Sequence, residues 1–310
     1  MPAMICHRCG QMAAIRMKEH RLQFCKDHYI EWFIEQTERV IHKYKMFTRH
    51  DPVLVAVSGG KDLLSLWDVL WKLNYQAEGM YINLGIESDE HYSDESEGYA
   101  RRFAAERGLK LHVVNVREQY GKTIPQFARQ KKWGLDRPCA VCGIVKRHVM
   151  NQAAQDAGFP VLVTAHNLDD EAAVLMLNTM NWQVDLMRRQ APVLEAGGGL
   201  PRKAKPFCRF YERETAAYAV VRGIEYIEEE CPHSGGSTQL YYKDILNRME
   251  SDHAGYKMQF YASFLSARAK LFGEKVVKDM EVGHNCPRCG QPTQSGGFCS
   301  FCKMTTFEQD

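Results

Sequence analysis

Eleven cysteines in 310 residues fall at spacings that suit metal binding. Cys6, Cys9, Cys25 and His28 form a C-x2-C-x15-C-x2-H arrangement, four ligands carried on two tight turns. Tetrahedral zinc takes such a set, and a module this short has too little core to fold without a staple. Cys286, Cys289, Cys299 and Cys302 repeat the idea as C-x2-C-x9-C-x2-C, with Gly290, Gly296 and Gly297 as turn residues. This second set reads as an all-thiolate zinc ribbon. An odd thiol count in C-x2-C pairs argues against a disulfide framework. No apolar stretch between Met1 and Gln11 has the form of a signal peptide, so a reducing, cytoplasmic setting is expected.

A second chemistry lies at Ser58-Gly59-Gly60-Lys61-Asp62, between a five-residue apolar run and a helical pattern. Paired glycines at a strand-to-helix turn let backbone N–H groups approach an anion, and the helix dipole adds to the attraction. The Walker spacing is absent, and so is G-x-G-x-x-G, which weakens a dinucleotide reading.

A third constellation is Cys139 and Cys142, with Cys231 far along the chain in Cys231-Pro232-His233. Three thiolates can hold three irons of a 4Fe–4S cluster and leave the fourth open. The same residues also suit a redox pair, or a third zinc site completed by His148 or His233. Cys208 has no partner at ligand spacing and reads as a structural or loop cysteine.

These groups need a scaffold, and the intervening pattern supplies one. Strands are predicted at Val53–Val57, Glu78–Leu84, Leu111–Val116, Val161–Ala165 and Ile224–Glu228. Helices are predicted at Glu31–Phe47, Asp62–Leu73, Asp89–Arg107, Ile124–Gln130, Val141–Ala157, Leu168–Asn181 and Glu212–Val221. Strands alternating with helices imply an α/β fold with a parallel sheet covered on both faces. Gly197 to Arg209 reads as a basic loop, and Tyr241 to Phe272 as one long helical stretch leading to the ribbon. The expected division is a zinc module at 1–30, a catalytic domain at 31–237, a helical linker at 238–280 and a zinc ribbon at 281–310.

Composition bounds the partners. Hydrophobic residues make up 45% and charged ones 25%, so the chain can bury a sizeable core and is not disordered. The apolar runs are too short for a membrane span. Lys plus Arg is 40 against 38 Asp plus Glu, so contact with nucleic acid must be local. Arg129, Lys131, Lys132 and Arg137, then Arg188 and Arg189, then Arg202, Lys203, Lys205 and Arg209 are the basic clusters suited to phosphate.

The loop Ser58, Gly59, Gly60 and Asp62 resembles the SGGxDS fingerprint of the PP-loop ATP pyrophosphatases. The chain departs from it at Leu63, where the family usually has Ser. Thr164-Ala165-His166-Asn167-Leu168-Asp169-Asp170-Glu171 looks like that family's second motif. Together with both zinc patterns, the Pro-Cys-x-x-Cys-Gly segment and the later Cys-Pro, the layout resembles the tRNA 2-thiouridine synthetases of the TtcA/TtuA family over nearly the whole chain.

The resemblance implies a PP-loop core flanked by zinc ribbons, and ATP-dependent adenylation of a uridine C2 oxygen followed by sulfur transfer. T-loop position 54 is the expected target, with the wobble uridine as the alternative. It implies ATP with Mg2+, a 4Fe–4S cluster on Cys139, Cys142 and Cys231, and two Zn2+. The partners implied are tRNA, a ubiquitin-like thiocarboxylated sulfur carrier or sulfide, and a second copy of the chain. Ser58, Gly59, Gly60 and Asp62 would hold the pyrophosphate end, Tyr81, Ile82 and Asn83 the adenine and ribose, and Ala165 and His166 the nucleotide from the second motif. Lys146 would steady the α-phosphate, and Asp170 would act as acid/base partner. A cysteine persulfide on Cys139 or Cys231 is the competing sulfur route. Rival readings are a PP-loop adenylating enzyme or desulfidase without tRNA, and a zinc-ribbon RNA-binding protein with a degenerate loop.

Leu63→Ser tests the loop. A hydroxyl at the start of the helix donates to a phosphate oxygen, a charge-assisted bond of about 1.5–3 kcal/mol. ATP affinity should rise by roughly one to two orders of magnitude at most. Unchanged or weaker binding in a calorimetric titration would reject a phosphate role for this position.

Overall fold

The computed structural model describes residues 4–86, 91–129, 138–235, 238–273 and 283–306. A hairpin, Ile15–Met17 (β1) and Leu22–Phe24 (β2), leads through Lys26–Lys43 (α1) to Val53–Val57 (β3). Lys61–Lys72 (α2), Ala77–Asn83 (β4), Tyr92–Arg107 (α3) and Leu111–Asn115 (β5) follow. Val116–Tyr120 (α4), Ile124–Ala128 (α5) and Pro138–Asp156 (α6) precede Val161–Val163 (β6). Next come Leu168–Met180 (α7), Val184–Arg189 (α8), Val193–Leu194 (β7), Arg202–Ala204 (β8) and Glu212–Arg222 (α9). Thr238–Asp252 (α10), Tyr256–Phe272 (α11), a hairpin of His284–Asn285 (β9) and Pro292–Thr293 (β10), and Ser300–Thr306 (α12) complete the described chain.

The central sheet has the order β5-β4-β3-β6-β8-β7, parallel except for the edge strand β7. All of β3 is buried, and its alternation assigns the two faces: Val53, Val55 and Val57 enter one core, Leu54 and Ala56 the other. A strand buried on both sides reads as a continuous apolar run, which is how this one appears in the sequence. The first core holds Phe33 of α1, Trp67 of α2 and Tyr218 of α9; the second holds Val145 and Val149 of α6 together with Phe301 of the terminal helix. Chain order reverses between β3 and β6, and this opens a crevice at their carboxyl ends.

Three expectations give way here. Ile224 to Glu228 is not a strand; it crosses the end of β3, where the Ile227 amide donates to the Gly59 carbonyl at 3.0 Å. Its buried residues, Ile224 and Ile227, lie three apart rather than two, so no sheet face is offered. The sheet position is filled instead by β8, inside the stretch expected to be loop. A three-residue strand carrying Arg202 and Lys203 has no periodicity to detect. The long helical stretch is two helices, broken before Gly255 at φ 101°, and the Glu250 carboxylate accepts from the Gly255 and Lys257 amides. Both halves pack on α7. Helix boundaries also move: α1 begins at Lys26 rather than Glu31, and α6 begins at Pro138 rather than Val141, so Cys139 joins Cys142 within the helix. Asp89 and Gln130 lie outside the described residues.

One buried carboxylate ties three helices on the first face. Asp68 of α2 is fully buried and accepts from Arg107 Nε of α3 at 3.0 Å, Arg222 Nε of α9 at 2.9 Å and the Tyr218 hydroxyl at 2.8 Å. Burial alone would raise this carboxyl, but Arg222, Tyr218 and Arg107 outweigh it and hold it below the ordinary carboxylate range. A depressed folded pKa contributes stability that is fully present above the unfolded value and lost as pH falls through the folded one. Asp68→Ala should therefore cost about 3–5 kcal/mol in denaturant unfolding at neutral pH, because two guanidinium groups lose their anion. The gap to wild type should narrow as the pH drops below the carboxylate range; an unchanged midpoint at pH 7 would refute the assignment.

Candidate active site

A cavity of about 980 Å³ opens where β3, β4 and β6 end. Gly59 turns the chain out of β3 with φ 72°, and a Cβ there would lie 2.2 Å from the Ser96 carbonyl oxygen of α3. Only glycine fits this approach. Gly60 is the N-cap of α2 and no side chain caps it, so the first-turn amides are available at the cavity, where Lys61, Asp62 and Leu63 line the wall. Leu63 is half-buried and also packs against the core, while Ser65 is fully buried and turned away.

Most of the expected nucleotide-contacting residues meet here. Ser58, Gly60 and Asp62 form one wall, Tyr81 and Ile82 another, Ala165, His166 and Asp170 a third. Tyr81 donates its hydroxyl to the Ser93 carbonyl at 2.7 Å, which locks α3 over β4. Asn83 does not line the cavity: its amide donates to Asp94 at 3.0 Å and Glu97 at 2.9 Å. His166 is exposed, with Nδ1 against the Thr164 hydroxyl at 2.8 Å. Asp170 forms a capping box with Asn167 at the start of α7, and its carboxylate also meets Lys243 of α10 at 2.7 Å and Gln239 at 3.3 Å.

Several residues in this network had no assigned role in the sequence. Lys61 Nζ lies 3.1 Å from Glu212 and 3.6 Å from Asp62; Lys243 Nζ lies 3.0 Å from the other Glu212 oxygen. Thr215 of α9 donates to Asp62. Burial lifts the Asp62 carboxyl above its usual range even with Lys61 beside it. Burial acts the same way on Glu212, but Lys243 and Lys61 overcome it and hold that carboxyl below its usual range. The Lys61–Glu212 and Asp62–Thr215 pairs join residues more than 150 apart in the chain, a separation that local spacing cannot bridge.

Helix α6 brings the cysteine chemistry to the same place. Cys139, Cys142 and Lys146 recur at helical spacing, so they share one side of α6, and Lys146 lines the cavity. Burial raises the Cys142 thiol; the Lys146 ammonium opposes this, and negative charge on Cys231 or Cys139 adds to it. Cys139 Sγ lies 3.1 Å from the His233 carbonyl, two residues past Cys231. The three thiols thus converge on the rim, beside Tyr92 and the run Glu228 to Glu230. They do not form a set with every sulfur within 4.8 Å, as the two terminal sets do. One metal ion needs such close ligands, whereas three corners of a cluster hold thiolates farther apart, so the donor set fits a cluster better than a third zinc.

The terminal sets fit zinc. In the first, His28 Nδ1 is 3.4 Å from Cys6 Sγ and 3.2 Å from Cys25 Sγ, and Cys9 and Cys25 are 3.9 Å apart. In the second, Cys289 and Cys299 are 3.8 Å apart. Sulfur ligands at about 2.3 Å and a nitrogen at about 2.0–2.1 Å from one tetrahedral ion have such separations. Burial raises the Cys286 thiol, yet the amides of Cys299, Cys289 and Arg288 hold it down to about 6, a thiolate ready for metal. Cys208 is fully buried in the first core, and burial pushes its thiol up to about 12, as expected of a structural cysteine.

The basic clusters separate into different roles. Arg202 donates to the Lys45 and Met46 carbonyls at 3.1 and 3.2 Å and pairs with Glu195, while Lys205 pairs with Glu171 at 2.6 Å. Arg129 is exposed, and Lys131, Lys132 and Arg137 lie outside the described residues.

The PP-loop domain family matches residues 29–235. A tRNA-5-methyluridine(54) 2-sulfurtransferase of Thermus thermophilus is 45% identical over 97% of this chain and 91% of its own. One from Pyrococcus horikoshii is 39% identical, over 97% of this chain and 93% of its own. The solved U34-tRNA thiolase NcsA from Methanococcus maripaludis, with its [4Fe-4S] cluster, shares the fold at TM-score 0.80 and 22% identity over 98% of this chain and 96% of its own. With a PP-loop match over most of its length and end-to-end similarity to these sulfurtransferases, the chain belongs to the TtcA/TtuA family of PP-loop tRNA 2-sulfurtransferases.

Proposed function

We propose that this chain thiolates C2 of a tRNA uridine, at T-loop position 54 as the names of its 45% and 39% identical relatives indicate. The carrying observation is that one cavity has the glycine loop on one wall and Lys146 on another, one helical turn from Cys142. A uridine C2 oxygen is a poor leaving group. Transferring AMP to it, with release of pyrophosphate, lets sulfur displace the oxygen as part of AMP.

In this reading the amides of Ser58 to Asp62 and the start of α2 receive the pyrophosphate end of ATP with its Mg2+. The backbone around Tyr81 and Ile82 borders the adenine and ribose, and Asn83 supports that strand end from outside. Ala165 and His166 close the opposite wall. Lys146 steadies charge developing at the α-phosphate. Asp170, oriented by Lys243 and Gln239, accepts the uridine ring proton as the oxygen attacks. Cys139, Cys142 and Cys231 would hold a 4Fe–4S cluster, which when bound supplies a Lewis-acidic iron for the incoming sulfur. The terminal sets would each hold one Zn2+ as bracing for an N-terminal module at 1–30 and a ribbon at 281–310. A catalytic domain at 31–237 and a helical segment at 238–280 lie between them. A thiocarboxylated ubiquitin-like carrier or sulfide as donor, a homodimer and a cytoplasmic setting complete the proposal. No helix among the described residues is long and apolar enough to cross a membrane.

Cysteine and lysine variants separate the two halves of the site. Cys139→Ala, Cys142→Ala or Cys231→Ala should abolish iron binding and thionucleoside formation in anaerobically reconstituted protein, with ATP binding retained. Lys146→Ala should keep its iron and lose thiolation by roughly 10²–10³-fold. Full iron content and normal thiolation in the Cys231 variant would show the triad to be misassigned. Thiolation by iron-free, zinc-replete protein would move the sulfur to a cysteine persulfide.

A further inference from the structure

A second cleft, of about 440 Å³, lies between α6, the end of α8, β8 and the C-terminal ribbon. It meets the first cavity at Arg147, which lines both. Its lining includes three cations, Arg147, Arg189 and Lys203, and no Asp or Glu among the described residues. None of the three has an ion pair or side-chain hydrogen bond among the described residues. Their neighbours in sequence behave otherwise: Arg202 is paired with Glu195, Lys205 with Glu171 and Arg188 with Asp185. Burial, then the charge of Arg147, brings the Lys203 ammonium down to about 8. Arg189 and Lys203 are half-buried and Arg147 is exposed beside them; like charges gathered with no Asp or Glu among them are relieved by a bound anion.

The cleft is firmly built. Phe301 of the ribbon stacks on His148 of α6, with centroids 3.7 Å apart and planes 7° from parallel. Gln291 donates to the His148 carbonyl at 3.0 Å and to Gln152 at 3.3 Å. The floor of the cleft is therefore in fixed register with the helix that carries Lys146.

The charge around the first cavity argues for RNA. A base reaching Lys146 brings its flanking phosphodiesters to the rim. On one side that rim carries Glu228, Glu229 and Glu230, which repel phosphate; on the other it carries Arg147 and opens to the basic cleft. We propose that the cleft between α6, β8 and the C-terminal ribbon binds backbone phosphate of the substrate RNA next to the reacting base, with Arg189 and Lys203 as its contacts. This rests on the tRNA reading above and adds the path of the strand.

The test is equilibrium binding of a tRNA transcript to full-length, zinc-replete protein over a salt series, for wild type, Arg189→Gln, Lys203→Gln and Lys203→Arg. Each Gln variant should lose roughly three- to tenfold in affinity, and the slope of log K against log salt should fall by about 0.7–0.9. Lys203→Arg should restore both, and ATP affinity and zinc content should stay at wild-type values. If wild type binds the transcript and both Gln variants keep its affinity and slope, the cleft is off the RNA path while the tRNA reading stands. An effect confined to Lys203→Gln and accompanied by lost zinc or ATP binding would assign that lysine to the fold and overturn the proposal. A wild-type protein without affinity for tRNA would remove this proposal and the function together.

Discussion

Three consecutive acids at the start of α7 hold the carboxyl end of the sheet together. Asp169 accepts from Lys257 of α11, Asp170 from Lys243 of α10, and Glu171 from Lys205 after β8. All three acids are mostly buried and lie near the positive end of a helix, which favours their charge, and each takes a lysine from a different element. Lys243 then reaches Glu212, and Glu212 reaches Lys61 on the glycine loop. Burial would weaken the Lys243 charge, but Asp170 and Glu212 raise that ammonium well above its usual value. Buried charges persist only when paired, so moving any helix in this chain of contacts would strand an ion. The walls of the cavity are thereby held in register by partners that do not themselves belong to the loop.

The two terminal cysteine modules attach to this frame rather than hang from it. Cys25 is the N-cap of α1 and His28 lies in its first turn, so half of the first Cys/His set grows directly out of a core helix whose Trp32 and Phe33 are buried. The second module meets α6 through the Phe301–His148 stack and Gln291. Both small modules thus gain from the main chain the apolar contact they are too short to make alone. It follows that the C-terminal set bears on the position of α6, and through α6 on Cys139, Cys142 and Lys146.

Charge is divided with a purpose that net composition conceals. A total of +2 is nearly neutral, yet one rim of the cavity carries Glu228 to Glu230 and the other Arg147, with the basic cleft beyond it. Cations that look alike in the run from Arg202 to Arg209 have different uses: Arg202 and Lys205 secure the fold, and Lys203 faces the cleft.

The cysteine spacings, the Ser58 to Asp62 turn and the apolar run of β3 were legible because each is local. Four ligands within a short module, two glycines at a helix start and a doubly buried strand leave their mark on adjacent residues. The alternation of strands and helices carried the fold class for the same reason. The sheet position of β8 was not legible: three residues give no period, two of them are cations, and the Lys45 and Met46 carbonyls that take Arg202 lie far off in the chain. Ile224 to Glu228 looked like a strand because an apolar run does not say whether another strand already occupies its place. The break at Gly255 depended on Glu250 accepting two amides, which no helical periodicity records. The pairing of Glu212 with Lys61 and Lys243, and the meeting of two cavities at Arg147, were decided only when the sheet brought distant helices to one edge, since Coulomb attraction acts through space and is blind to chain order.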